Sequence, residues 1–300
     1  MRVALPNCTD LPSWEVDDHA FHRALEREGV EWERPIWDDL SVDWARYDGV
    51  LIRTTWDYQE KEPAFLEWIN HVSKCTKLFN PEPVVRWNTK KTYLRDLERA
   101  GARLTPTIWL DAGTNVDVRD ILRERGWTRG FLKPVVGATA RETLRFSSDS
   151  EGLNRAQAHL DRLLSSESMM LQPYLETVET QGELSALFFD GVFSHGVRKV
   201  PVPGDYRVQD DFGASDELYC FNEREVVQLG SILNALEKVL HTELKVEETL
   251  LYARVDVLQD RDGGFYLNEL ELVEPSLFFR HDSASPARLA QALKRRLSKT

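Results

Sequence analysis

Cysteine is scarce in this chain. Cys8, Cys75 and Cys220 are the only three in 300 residues, and no two of them stand in a C-x-x-C spacing. An odd, dispersed set argues against a disulfide framework or a zinc site. The seven histidines include no H-E-x-x-H pair, which removes the common zinc-hydrolase pattern. No apolar run approaches the roughly eighteen residues of a membrane span, and the opening Met1–Pro6 reads as a short strand, too brief for a signal peptide. Positive charge is in deficit: 38 Lys and Arg against 50 Asp and Glu leave a net charge of −12. A phosphate backbone needs a basic surface, so nucleic acid is set aside as a partner, membrane likewise, and the cytoplasm is the default address. A local basic cluster for a small anion stays open. There is no internal repeat, no low-complexity tract and no convincing Ser/His/Asp or Cys/His nucleophile set.

What is present is ordinary for a globular protein: 42% hydrophobic and 29% charged residues, in a chain long enough for one large domain or several small ones. Residues 2–80 alternate strand and helix. Arg2–Pro6 is a strand, Asp17–Glu28 a helix with Gly29 just past its end, and Val30–Trp37 a weaker strand. Asp48–Arg53 is a buried strand, Glu62–Lys74 a helix and Lys77–Phe79 a short strand. That rhythm predicts a small parallel sheet flanked by helices. Pro81 and Pro83 punctuate the boundary, and the helix Thr89–Ala100 is closed by Gly101. A second α+β unit follows, with strands at Thr107–Leu110, Gly130–Pro134, Thr143–Phe146 and Met169–Gln172 and helices at Val116–Arg125 and Glu151–Leu164. The third part opens with strands Glu183–Phe189 and Val192–Val200. A polar loop, Pro201–Glu217, leads to the helix Glu223–Leu240, a terminal hairpin and the helix Pro286–Leu297.

The chemistry concentrates in that hairpin, Leu250–Leu258 paired with Phe265–Leu272. Asp256 stands thirteen residues before Glu269, and Glu271 two further on. Residues two apart on a strand share a face, so Arg254 goes with Asp256 and Glu269 with Glu271. Pairing brings both acidic sets onto one surface, where carboxylates suit a hard cation such as Mg2+ carrying nucleotide phosphates. Upstream, Lys133 ends an apolar strand. The small-residue loop Gly137-Ala138-Thr139-Ala140-Arg141-Glu142-Thr143 can cradle phosphate with its backbone N–H groups. Pro173 lacks an N–H, so pairing stops there and leaves backbone groups of Tyr174 and Leu175 for an adenine edge, with Glu176 or Glu179 beyond for ribose hydroxyls. Lys90 and Lys91 sit at a helix start, Arg198 and Lys199 close a strand, and Arg207 lies in the polar loop. Each of these has a plainer reading as a solvated cation, a common loop or a simple hinge. In Arg53–Tyr58, at the carboxyl end of a strand, Thr54, Thr55, Asp57 and Tyr58 are candidates for a substrate; the plain alternative is that Trp56 packs and Asp57 caps. His195 reads as a satisfied buried histidine.

In order and in kind, these pieces resemble the ATP-grasp superfamily. The D-x12-E-x-[NE] acid set with arginine two before the aspartate is the specific part. The resemblance covers about residues 85–300, and residues 1–80 fit the smaller N-terminal α/β domain of that family. The layout is similar to the glutathione-synthetase-like ligases and, within them, to the D-cycloserine synthetase type of natural-product pathways. It implies an N-terminal parallel α/β domain (1–84) and two α+β lobes (85–175 and 176–300) enclosing ATP. It also implies that Lys91 (or Lys90) and Lys133 meet the phosphates, that Gly137, Ala138, Thr139 and Arg141 belong to the mobile phosphate loop, and that Gln172, Tyr174, Leu175 and Glu179 serve the adenosine. Asp256, Glu269 and Glu271 would hold Mg2+, while Arg254, Arg207 and Lys133 would act on the transferring phosphoryl group, Arg254 and Arg207 also meeting a substrate carboxylate. One departure is that many members carry asparagine where this chain has Glu271, and Leu272-Val-Glu274-Pro275-Ser276-Leu277 replaces their usual continuation.

The expected activity is ATP-dependent ligation of a small carboxylate, amino-acid-like, to an amine or thiol through an acyl phosphate, or the intramolecular cyclising version, with ADP and phosphate released. A small-molecule kinase and a non-catalytic nucleotide-binding module are the alternatives. The resemblance is also compatible with a homodimer.

Overall fold

A computed structural model of the chain describes residues 1–11, 13–137, 140–209 and 212–298. The N-terminal part is a four-stranded parallel sheet in the order β2-β1-β3-β4, with β1 at Arg2–Ala4, β2 at Glu31–Glu33, β3 at Gly49–Leu51 and β4 at Leu78–Phe79. Helices α1 (His19–Arg27) and α2 (Glu62–Cys75) supply the crossovers. Both faces of the sheet centre are covered, so Val3–Ala4 and Val50–Leu51 on the two inner strands are buried and apolar in succession, whereas the edge strand β2 reads Glu-Trp-Glu. Val3 and Leu51 face one core with Phe21 and Leu25; Ala4 and Val50 face another with Trp37, Phe65 and Trp68. The alternation follows from the two-residue period of a strand.

Helix α3 (Glu82–Asn88) and α4 (Tyr93–Ala100) come next. One helix over Thr89–Ala100 was expected; two form, because Pro83 in the first turn of α3 starts a helix rather than breaking one. Gly101 closes α4 at φ +113, a left-handed cap that suits glycine. The second sheet is antiparallel, β5-β8-β6-β7, from β5 (Ile108–Leu110), β6 (Arg129–Pro134), β7 (Leu144–Ser147) and β8 (Met169–Pro173). It packs on α5 (Val118–Arg125) and α6 (Ser150–Leu163) through Leu122, Leu132, Phe146, Leu160 and Leu171. Asp117 and Asp149 cap those helices, accepting from the N–H groups of Arg119 and Gly152.

After the short α7 (Thr177–Gln181) comes the third sheet, β11-β10-β9-β12-β13, also antiparallel. Its strands are β9 (Glu183–Phe189), β10 (Val192–Val200), β11 (Ser215–Tyr219), β12 (Tyr252–Gln259) and β13 (Phe265–Glu271), with α8 (Glu223–Thr242) and α9 (Ser285–Leu297) against it. The loop expected over Pro201–Glu217 therefore ends in an edge strand. Two buried asparagines fasten the β12–β13 hairpin to the preceding parts. Asn80 donates to the carbonyls of Tyr252 and Leu272 (both 2.9 Å) and accepts from the Leu251 N–H. Asn88 bonds the Leu270 carbonyl (2.8 Å) and the Leu272 N–H (2.9 Å). Among the described residues no helix is long and apolar enough to cross a membrane.

Candidate active site

The hairpin register puts Arg254 opposite Glu271 and Asp256 opposite Glu269. Both acidic sets thus share one face, as the spacing predicts. The register slips after Asp256, where Val257 faces Leu267, so Asn268 is an extra, bulged residue. Its amide accepts from Lys133 Nζ at 3.1 Å and donates to Glu183. This face lines a cavity of about 740 Å³ that reaches from the second sheet, across β12–β13, to the N-terminal part.

Four cations stand along this wall with their partners. Arg254 grips Asp256 through two bonds (Nε–Oδ1 3.0 Å, Nη2–Oδ2 2.9 Å) and also contacts Glu271. Lys199 contacts Glu183 and lies 3.4 Å from Asp256. Lys91 and Lys133 each lie 3.5 Å from the same oxygen of Glu269. Lys133, Lys199, Arg254 and Asp256 are all buried. Charges held this far from water stay only where opposite charges and hydrogen bonds compensate.

The proton affinities follow from that pairing. Burial works against the Asp256 carboxylate, but Arg254 and Lys199 outweigh it and hold its pKa down to about 2. Glu269 is held low in the same way by Lys91 and Lys133 against its burial. Burial prevails at Lys133, whose ammonium falls below its ordinary value despite Glu269. At Lys199 the charges of Asp256 and Glu183 outweigh burial and raise it. Burial pushes Glu271 up to about 7 against the pull of Arg254, and burial plus the charge of Glu271 push Glu274 up to about 8.

The remaining candidates divide. Gly137, Arg141, Gln172, Tyr174, Leu175 and Arg207 all line the cavity. Ala138 and Thr139 lie outside the described residues. Lys91 lines the cavity and donates to the Gly137 carbonyl at 2.6 Å, whereas Lys90 is exposed and pairs with Glu62 at 3.3 Å. Arg141 is bonded to Glu167 and to the Val136 carbonyl (2.9 Å), and Arg207 to Asp205 of its own loop. Gln172 donates to Thr107 at 2.8 Å.

Some expectations need correction. Pro173 does not end pairing at once: it lies opposite Gly130, and the Tyr174 N–H is taken by the Arg129 carbonyl at 3.1 Å. Glu179 accepts from the Tyr174 hydroxyl (2.6 Å) and Arg145 (2.7 Å) and is not part of the cavity wall; Glu176 pairs with Arg129 at 3.0 Å. Of the four substrate candidates after β3, only Asp57 reaches the cavity. Thr54 and Thr55 are buried, Thr54 bridging to Asn7, and Tyr58 packs on Phe65. Trp56 packs against the N-terminal core, as the plain alternative had it, and also lines the cavity, its indole N–H donating to the Glu274 carbonyl at 3.1 Å. His195 is buried and satisfied, its Nε2–H donating to the Leu277 carbonyl at 3.0 Å.

Comparison with known proteins places the chain in a family. Residues 3–80 match the family described as D-cycloserine synthetase DcsG, N-terminal domain. Over 98% of its length the chain is 33% identical to the cycloserine biosynthesis protein DcsG of Streptomyces lavendulae, covering 96% of that protein. The chain belongs to the DcsG family. The crystal structure of D-cycloserine synthetase DcsG matches it with a TM-score of 0.88 at 31% identity, over 99% of this chain and 100% of that one. D-alanine–D-alanine ligase from Bacillus anthracis, complexed with ATP, matches with a TM-score of 0.69 at 16% identity, over 100% and 98% of the two chains. The ATP-grasp ligase PsnB, complexed with minimal precursor, Mg and ADP, matches at 0.63 and 16%, over 99% and 98%. At that identity the last two speak for the fold alone, and the fold is ATP-grasp. This DcsG-family chain is an enzyme, an ATP-grasp ligase.

Several cavity residues of this family member were given no role from sequence: Glu183, Lys199 (noted only as a cation closing a strand), Asn268, Glu274 and Phe278. Asn268 was not legible, since two acids on one face of β13 put the residue before them on the opposite face, and only the bulge turns it inward. Lys199 carried no such signal, because a lysine closing a strand looks the same whether solvated or buried.

Proposed function

We propose that this ligase activates a small, amino-acid-like carboxylate as an acyl phosphate and joins it to an amine, releasing ADP and phosphate. The observation that carries this reading is the one cavity wall on which Lys91, Lys133, Lys199 and Arg254 alternate with Glu183, Asp256, Glu269 and Glu271. A carboxylate is too poor an electrophile to meet an amine in water. Moving the γ-phosphoryl group of ATP onto a carboxylate oxygen breaks the bond to the β-phosphate and frees ADP. The amine nitrogen then attacks the acyl carbon, the carbon–oxygen bond to phosphate breaks, and the amine loses a proton.

In this reading Lys91, Lys133 and Lys199 bind the phosphate oxygens, and Arg254 lies against the charge that builds on the transferring group. Arg207 and Arg141, on loops over the cavity, close the clamp by exchanging Asp205 and Glu167 for phosphate. Asp256, Glu269 and Glu271 suit Mg2+, since all their donors are hard oxygens on one wall. Among the described residues no three acidic, histidine or cysteine side chains converge as a protein-only cage; Mg2+ ordinarily takes one or two carboxylates and completes its shell with phosphates and water. When bound, Mg2+ would neutralise part of the charge on the nucleotide phosphates. The carboxylate and amine sit toward Trp56, Asp57 and Glu274. Kinship with a cycloserine biosynthesis protein favours a natural-product pathway and a ring-closing reaction, in which both reacting groups belong to one molecule.

The test is ADP release with Mg2+ and ATP across amino acids, small peptides and ureido or aminooxy acids, with products weighed by mass spectrometry. A dehydrated or condensed product is expected, and its mass tells ligation from cyclisation. A stable phosphorylated product would replace the ligation chemistry with a kinase. ATP binding with no turnover on any acid would leave a nucleotide-binding module.

A further inference from the structure

The loop after β13 is held carbonyl by carbonyl. Val273 accepts from the Tyr252 hydroxyl (2.6 Å), Glu274 from Trp56 (3.1 Å), Pro275 from Arg53 (3.1 Å), Ser276 from Arg254 (3.1 Å) and Leu277 from His195 (3.0 Å). Five consecutive carbonyls each take a side-chain donor, and those donors come from distant parts of the chain. The run ends at Phe278, whose backbone is left-handed (φ 49°, ψ 42°). Only glycine and, less often, asparagine or aspartate adopt that region readily; for a bulky aromatic residue it is strained. The next two residues are clasped: Asp17 accepts from the N–H groups of Phe279 and Arg280, both at 2.9 Å, and pairs with the Arg280 guanidinium at 3.5 Å. The clasp spans the chain, from the turn before α1 to the loop after β13.

What this arrangement places is a ring. Phe278 is buried, lines the cavity, and has its ring centroid 5.5 Å from the Arg254 guanidinium carbon and 4.9 Å from that of Arg280. Both separations lie within cation–π range. Asp256, Glu271 and the Ser276 carbonyl hold the nitrogens of Arg254. The aromatic ring packs against the same guanidinium from this loop. Arg280 is fixed in turn by Asp216 at 3.1 Å.

We propose that Phe278 is a positioning residue for the ligation, its ring held by the Asp17 clasp so as to brace the Arg254 guanidinium at the cavity wall. The inference rests on the ligase reading for the role of Arg254, but not for the bracing itself. Phe278 does not touch the reacting atoms in this account; it acts through Arg254.

Three variants test it: Phe278→Leu, which keeps an apolar side chain but removes the ring; Phe278→Tyr, which keeps the ring; and Asp17→Asn, which keeps the ring and weakens the clasp. ADP release is read with the acid that wild-type enzyme turns over fastest, and ATP affinity by calorimetry. Phe278→Leu is expected to lower kcat about tenfold or more with ATP affinity within about twofold, and Phe278→Tyr to stay within about threefold of wild type. Asp17→Asn is expected to lower kcat about threefold and to add little on top of Phe278→Leu, since both act through one ring. The proposal is overturned if Phe278→Leu keeps wild-type kcat, if the tyrosine variant is as poor as leucine, or if the Asp17 loss adds in full. Should Phe278→Leu not fold, an unchanged kcat in Asp17→Asn overturns it. A readout independent of turnover separates this proposal from the ligase reading: the Nε–H resonance of Arg254, assigned by its loss in Arg254→Lys. It should move in Asp17→Asn because the aromatic ring moves, and an unmoved resonance sinks the bracing even if the enzyme proves to be a ligase.

Discussion

The two ends of the cavity are built on opposite principles. At the β12–β13 end, each of Glu183, Asp256, Glu269 and Glu271 has a lysine or arginine within ion-pair distance. At the other end the N-terminal part contributes Cys8, Asp10, Leu11, Trp56, Asp57 and Glu60 to the wall, three acids and no cation, with Lys61 paired to Asp57 at 2.9 Å from behind the wall. Glu274 adds a fourth carboxyl beside them. The first end is a balanced lattice that, in the proposed reading, would exchange its internal partners for phosphate oxygens and metal. The second faces the cavity with carboxyls and no lining cation, and would suit a ligand that brings its own positive charge or donors, Glu274 contributing its acid proton. A substrate lying along the cavity would therefore present its anionic, reacting group to one end and hydrogen-bond donors to the other.

The largest break in that comparison is expected from Asp256→Asn, which keeps the shape of the side chain and removes its charge. Arg254 and Lys199 then lose a shared partner, and ADP release should fall about 10²–10³-fold. Steady-state kinetics with coupled ADP detection checks this, and turnover near wild type would remove Asp256 from the metal and phosphate site. At the opposite end, Asp57→Asn should raise KM for the carbon substrate about tenfold while leaving KM for ATP within about twofold. Equal changes in both constants would show instead that Asp57 matters through Trp37 Nε1 (2.7 Å) and Lys61 (2.9 Å), which it also holds.

How much of this contrast could be read from the chain follows from the range of the contacts. The acids and arginine of the β12–β13 hairpin lie close in sequence on paired strands, so the spacing of Arg254, Asp256, Glu269 and Glu271 was sufficient to put them on one face, while Glu183 and Lys199 reach it from other strands. Lys133 and Gly137, which line the cavity, could be proposed from sequence because a strand end and a small-residue loop are local features. The acidic end depends on long-range placement. The rule that ligands sit beyond strand ends pointed to the segment after β3, where Asp57 lines the cavity but Thr54, Thr55 and Tyr58 turn into the N-terminal core. Trp56 faces the cavity because its indole is tied to a carbonyl 218 positions away, which no local pattern encodes. The same holds for Phe278, placed by Asp17. In the fold, most elements were legible within a few residues from periodicity, while α3, α7 and β11 were not. Each is short, and α3 begins at a proline that also reads as a break.

A smaller effect should separate the two ends by pH. Glu274 has its pKa pushed up to about 8 from an ordinary 4.5, so the folded state keeps a proton that the unfolded chain releases. Its stabilising contribution is then complete below about pH 4.5 and is lost as pH rises through about 8. Glu274→Gln cannot ionise and should be more stable than wild type at pH 8, by about 2 kcal/mol once partial exposure is allowed for, with the gap closing below pH 4.5. Denaturant melts at the two pH values check the sign. A gap that widens toward acid would mean that Glu274 is charged in the folded protein.

The smallest effect is expected from the residue adjacent to one of the most consequential. Lys90 and Lys91 are neighbours in sequence, and nothing local distinguishes them. Lys91 is drawn inward by the Gly137 carbonyl and Glu269, while the Lys90 side chain stays exposed beside Glu62. Exposed pairs of that kind contribute about 0–1 kcal/mol, because water screens them and two long side chains lose freedom to form them. Lys90→Ala should therefore leave KM for ATP and kcat within about twofold of wild type, whereas Lys91→Ala should raise KM for ATP about tenfold. Comparable losses in the two variants would mean that the helix start rotates when nucleotide binds, bringing Lys90 into the cavity. The balanced end would then be a product of ligand binding rather than a feature already built into the free protein.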